Sequence, residues 1–200
     1  MIGGMRVTEA VGAICVGHIT VSLIGMGNSI AATPPPPRTI ESDAAACASC
    51  SRAAQLTKVV SKLYSGNGLD AAVAHEHITF TDPAAKCAGR AEVTEAFRAL
   101  RAVNPQHVVA PIATATDGGT VEFYLHQRYA AGSALLPSGF VVKSTCVVRT
   151  ASDGRIASIE ERWNGAPLLD YSAFRWVRRA NGLVSAILTP IFTEVYDFFN

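Results

Sequence analysis

The sequence lacks an excess of charge of either sign: 17 basic residues stand against 16 acidic ones, for a net charge of +1. Without a basic surplus there is no global field to draw in nucleic acid, and nucleic-acid binding is not expected. A glycine-rich phosphate loop, a serine-hydrolase elbow and zinc-ligand spacings are also missing, so neither a cofactor nor a metal is expected. Charged residues make up only 16% of the chain, and apolar residues 49%, a richer apolar content than a disordered chain carries. Two hundred residues suffice for one ordinary domain with terminal extensions, but not for two cores.

The longest stretch without charge lies between Glu9 and Arg38. The apolar run from Ala10 to Met26 follows Arg6, and Ser29-Ile30-Ala31 supplies the small residues of a cleavage site, which is the layout of a signal peptide. A retained membrane anchor is the competing reading, since about 17 to 20 helical residues just reach the hydrocarbon thickness of a bilayer. Three glycines, His18, Thr20 and Ser22 make it a poor span. Either reading sends the protein to the secretory pathway, an organelle or a membrane. The chain therefore divides into a targeting or anchor segment (1–31), a proline-rich linker (32–43), a core domain (44–169) and a C-terminal helical extension (170–200). Beyond residue 31 four cysteines remain, Cys47, Cys50, Cys87 and Cys146, which could pair in three ways in an oxidising compartment. Cys47-Ala-Ser-Cys50 has redox spacing, yet it follows a linker instead of a strand, which favours two small residues one helical turn apart.

In the core, Ser42 and Asp43 offer N-caps, and Ala53, Leu56, Val59, Val60 and Leu63 follow helical spacing as far as Ser65-Gly66-Asn67-Gly68. Asp70 to His75 reads as a short second helix and Ile78 to Thr81 as a brief strand closed by Asp82-Pro83. Glu92 to Val103 reads as a third helix, ended by Asn104-Pro105. The periodicity then changes to alternation, with strands near Gln106–Thr116, Thr120–Ala131, Phe140–Thr150 and Arg155–Trp163 joined in part by Asp117-Gly118-Gly119 and Asp153-Gly154 turns. Helices followed by an antiparallel meander give an α+β class, with three N-terminal helices on one face of a curved sheet.

The order of these elements, with Ile78-Thr79-Phe80-Thr81-Asp82-Pro83, Gly89 before the helix that holds Phe97, and Asp153-Gly154-Arg155-Ile156 leading into Glu160-Glu161-Arg162-Trp163, resembles the NTF2-like superfamily. It looks most like its SnoaL-like members. The resemblance implies a cone with a pocket. It also likens Asp82 to the general base of ketosteroid isomerases, a carboxylate before a proline at the cone mouth. The same alignment puts Cys146 where those enzymes carry a protonated aspartate, and a thiol is a weak donor. Helix one offers no tyrosine at the isomerase position; Tyr64 comes near its end. Ketosteroid isomerisation is therefore not expected.

With Cys146 inward, parity brings Val142, Ser144 and Val148 in, and Ile159, Glu161 and Trp163 with them. Val121, Phe123 and Leu125 then face in, while Glu122, Tyr124, His126 and Arg128 face out, on a surface suited to a homodimer. The expected ligand-binding residues are Phe80, Phe123, Leu125, Ser144, Cys146, Glu161 and Trp163, with Asp82 as candidate catalytic base or else as the cap of its own turn. His75 and His77 read as a solvated helix end, not a metal site. In the extension, Arg175, Arg178 and Arg179 surround Trp176, Asn181-Gly182 breaks the helix and Pro190 kinks the second part. That pair of helices reads as a lid over the cone or as a segment lying on a membrane surface. Two functions follow: a domain that binds a small, largely apolar molecule, with acid–base chemistry of isomerase, lyase or cyclase type, or a non-catalytic scaffold associated with a membrane.

Overall fold

The computed structural model describes residues 47–129, 140–164 and 172–199. The expected targeting segment, linker and Ser42–Asp43 caps lie outside the described residues. Helix α1 (Cys47–Leu63) buries Ala53, Leu56, Val60 and Leu63 along one stripe. Leu56, Val60 and Leu63 each gain about 1.5–3 kcal/mol on full burial. The helix ends at Gly66, whose φ of 80° is left-handed and whose N–H closes onto the Leu63 carbonyl at 2.9 Å.

The expected second helix is absent. Asp70 instead accepts the Ala72 N–H in a turn, and strand β1 runs over the whole of Ala74–Thr81. Ala74, Ile78 and Phe80 are buried on it, and pairing with a neighbouring strand overrides the weak helical preference of Asp70 to Ala74. His75 and His77 are therefore on a strand and not a helix end, with their rings 5.7 Å apart. Among the described residues, no group of three or more His, Cys, Asp or Glu could hold a metal ion. A three-residue strand β2 (Lys86–Ala88), unforeseen in the sequence, pairs back on β1. Helix α2 (Arg90–Ala99) follows and tightens into a 3₁₀ turn over Leu100–Val103. Two α-helices, not three, thus precede the meander among the described residues.

Strands β3 (Pro105–Asp117), β4 (Thr120–Tyr129), β5 (Phe140–Thr150) and β6 (Ile156–Trp163) complete a six-stranded sheet in the order β2-β1-β6-β5-β4-β3. All neighbours are antiparallel except β1 and β6, which run parallel with Phe80 opposite Ile159. Register shifts in β3, such as that between His107 and Val109, mark bulges that bend a sheet. The α+β class and the curved sheet agree with the sequence.

Helix α3 (Ser172–Phe199) corrects the expected C-terminal break, because it runs unbroken through Asn181-Gly182 and on through Pro190. Its middle is docked on the chain around β2. Arg179 donates to the Lys86 carbonyl and to both Glu92 oxygens, and Asn181 donates to the Ala84 carbonyl at 2.9 Å. Gly182 is buried there, and a Cβ on it would lie 3.0 Å from Cys87 Sγ and tighter still against the Lys86 carbonyl. The glycine is a contact point, not a helix stop.

Candidate functional site

The inward parity expected from the sequence is the one the sheet adopts. Val121, Phe123 and Leu125 of β4, Val142, Ser144, Cys146 and Val148 of β5, and Ile159, Glu161 and Trp163 of β6 are all buried, whereas Glu122, Tyr124 and His126 are half-buried and Arg128 exposed. Cross-strand pairing sets Ser144 opposite Trp163 and Cys146 opposite Glu161 on one face, with Phe123 next to Cys146 on the other side. Phe80 enters from β1 and packs its ring, tilted by 51°, against Phe97 of α2 with centroids 4.8 Å apart.

At the centre is Glu161, only 2% exposed. Its Oε1 accepts the Ser144 hydroxyl at 2.6 Å and its Oε2 accepts the Tyr64 hydroxyl at 2.9 Å. Trp163 adds a further side-chain hydrogen bond. Burial raises the Glu161 carboxyl to about 7, the nearby charge of Asp82 adds to the rise, and the Ser144, Tyr64 and Trp163 hydrogen bonds oppose it. Among the described residues, the groups that bear on it are neutral donors and one carboxylate, with no cation among them.

The sequence places Tyr64 near the end of helix one, away from the isomerase position. In the structure the last turn of α1 continues one residue, with Tyr64 N–H bonded to the Val60 carbonyl, and this swings the ring inward. The ring packs edge-on against Phe97 at 5.2 Å, and its hydroxyl also approaches Cys146 Sγ at 3.8 Å. Burial pushes the Tyr64 hydroxyl and the Cys146 thiol well above their ordinary ranges, so both stay protonated at neutral pH. Gln127 and Tyr129 also join the buried inner face of β4. Gln127 donates to the Tyr64 carbonyl at 3.3 Å, while its own Oε1 is buried without a donor. Tyr129 lies close enough for the charges of Glu161 and Asp82 to raise its hydroxyl. Extending the alternation from Leu125 would have found both.

Asp82 follows Thr81, which pairs with Glu160, so the end of β1 brings it alongside β6. It caps its own turn: Oδ1 accepts the Ala84 N–H at 2.7 Å and the Ala85 N–H as well, and its backbone N–H bonds to the Ala85 carbonyl at 3.0 Å. The residue as a whole is half-buried, but its carboxyl group lies inside. Burial raises it to about 6 against the two backbone hydrogen bonds and the positive charge of Arg178, which donates to the Asp82 carbonyl at 3.4 Å. Asp82 and Glu161 thus form a pair of interior carboxyls whose proton affinities both lie near neutrality. Such a pair can take up or release a proton at working pH without an external cofactor.

No protein-family profile matches the sequence, and no curated protein matches it. Several solved structures are similar to the chain. One is a protein of the SnoaL-like family from Agrobacterium tumefaciens, with 16% identity and a TM-score of 0.42, covering 57% of this chain and 99% of its own. Another is SalBIII, an epoxide hydrolase/cyclase-like enzyme of pyran ring formation in the polyether salinomycin, with 20% identity and a TM-score of 0.47, covering 57% of this chain and 92% of its own. A third is an NTF2-like protein of unknown function from an Exiguobacterium species, with 16% identity and a TM-score of 0.39, covering 48% of this chain and 80% of its own.

Proposed function

We propose that the inner face of the sheet binds a small, largely apolar molecule and moves a proton on it, in cofactor-independent chemistry of isomerase or lyase type, with Glu161 as the proton carrier. The observation that supports this most is the state of Glu161: a carboxyl 2% exposed, oriented by Tyr64 and Ser144, with no compensating cation among the described residues, and raised to about 7. A buried carboxyl of this kind costs stability, and an apolar side chain would serve packing better. Its retention beside Asp82 suits proton transfer, in which one carboxyl of the pair is protonated while the other is charged. Asp82, whose Oδ1 is taken by two amides, acts on Glu161 through its charge. Phe80, Phe123, Leu125 and Trp163 supply the apolar wall, and Ser144 and Cys146 flank the acid.

Native mass spectrometry of the full-length protein from its own host tests this reading. A retained small molecule is expected. Its acidic C–H should exchange with deuterated solvent in the presence of the protein, and E161Q should abolish that exchange. A protein found consistently empty, in a stable complex with another protein, overturns the reading in favour of a scaffold.

A further inference from the structure

The hydroxyl that orients Glu161 is only as well placed as the backbone that carries it, and Tyr64 stands where α1 stops being a regular helix. Its N–H still reaches back four residues to the Val60 carbonyl, but the Ser65 N–H turns to the Lys62 carbonyl at 3.2 Å and the Gly66 N–H to that of Leu63. The Ser61 and Tyr64 carbonyls are left outside the backbone ladder and need other donors. Both find them in the sheet. His107 of β3 holds Nε2 3.0 Å from the Ser61 carbonyl, and so carries a proton on that nitrogen, while Gln127 of β4 donates from Nε2 to the Tyr64 carbonyl at 3.3 Å. His107 and Gln127 are register partners across β3 and β4, and Ser61 and Tyr64 are three residues apart, on one face of the helix. One cross-strand pair thus grips the last turn of α1 at two points. Arg101, in the 3₁₀ turn, adds a third by donating to the Gly66 carbonyl at 2.8 Å.

Water can satisfy the end of a helix, so a glutamine at this depth calls for another reason. The inner face of β4 runs through Val121, Phe123 and Leu125 before it reaches Gln127, which is 1% exposed. Its Oε1 is buried without a donor among the described residues. One amide–carbonyl bond returns less than an unpaired buried acceptor costs, so stability alone would favour an apolar side chain here. What Gln127 supplies is direction. It fixes the backbone of the one residue whose ring packs on Phe97 and whose hydroxyl stands 2.9 Å from Glu161 Oε2. A tyrosine side chain turns about two torsions only, so a backbone shift of about 1 Å would take that hydroxyl past hydrogen-bond reach.

We propose that Gln127 and His107 are positioning residues for Glu161, which they reach through Tyr64 by gripping the last turn of α1. Their role rests on the reading of Glu161 as the proton carrier, while the chain of hydrogen bonds can be tested apart from it. The test follows the Glu161 carboxyl by carbon-13 spectra of the full-length protein across pH. Y64F should raise its titration by about one pH unit, the tenfold worth of one hydrogen bond to a carboxylate. Q127L should give at least about half of that rise, and Y64F/Q127L no more than Y64F alone, because both changes break the same chain. A Q127L protein that melts lower but titrates as the wild type overturns the proposal and leaves Gln127 a helix cap only. A double variant whose rise equals the sum of the two single ones overturns it as well. Should Q127L fail to fold, H107A, at a half-buried position, takes its place in the same comparison with the same outcomes decisive. Titrations that move as expected, beside an E161Q protein that still exchanges the ligand's C–H, would keep the hydrogen-bond chain but remove its role in proton transfer, so the two failures are told apart.

Discussion

At the scale of single residues, Glu161 makes the protein's stability depend on pH in a direction opposite to that of ordinary salt-bridged acids. Its folded value of about 7 lies above the ordinary 4.5, so the folded protein holds a proton that the unfolded chain has already released. This contribution to stability is complete below about pH 4.5 and is lost as pH rises through about 7. Asp82, raised from 3.8 to about 6, acts in the same sense at lower pH. E161Q cannot ionise, so urea unfolding should show it more stable than wild type at pH 8, by up to about 3 kcal/mol, and no more stable at pH 4. Parallel pH profiles would refute this origin of the dependence. Y64F removes the 2.9 Å donor to Oε2. It should raise the Glu161 titration further in carbon-13 spectra, and cost about 1 kcal/mol of stability. These residues were unequally legible. The resemblance sets Cys146 inward, and strand parity then brings in Ser144, Glu161 and Trp163. Tyr64 does not follow from parity, because its inward direction depends on one further helical residue whose presence no local signal announces.

At the scale of elements, the sequence misled where tertiary contact outweighed local preference. Asn181-Gly182 is a strong stop signal in isolation, yet α3 passes through it because the glycine is needed where the helix touches Lys86 and Cys87. G182A therefore reverses the usual rule. Alanine favours an isolated helix by about 1 kcal/mol, but here its methyl group meets backbone and should destabilise the protein by about 1–3 kcal/mol in thermal or denaturant melts. A neutral or stabilising G182A would mean that α3 does not dock as described. Strand β1 was half-seen for a related reason: its first residues gain their extended form from pairing with β6 at Ala74, a partner distant in sequence. Strand β2 is three residues long, too short for any periodicity to show.

For the whole molecule, the parallel pairing of β1 with β6 joins the first strand of the core to its last, around a meander that otherwise pairs neighbours. Local hairpins close at small entropic cost, whereas this closure awaits the rest of the sheet. Folding kinetics should therefore give low φ-values for I78V and I159V at the β1–β6 seam, and higher ones for V121A and L125A within β4. Equal values throughout would remove the distinction. The two free edges of the sheet also differ from each other. Strand β2, at one edge, is three residues long and has α3 bonded to its Lys86 carbonyl. Strand β3, at the other, is thirteen residues long but carries Pro105, Pro111 and three breaks in register. A foreign strand finds no straight ladder of free amides at either edge. The same irregularities that bend the sheet thus leave neither of its edges open to fibril-like strand addition.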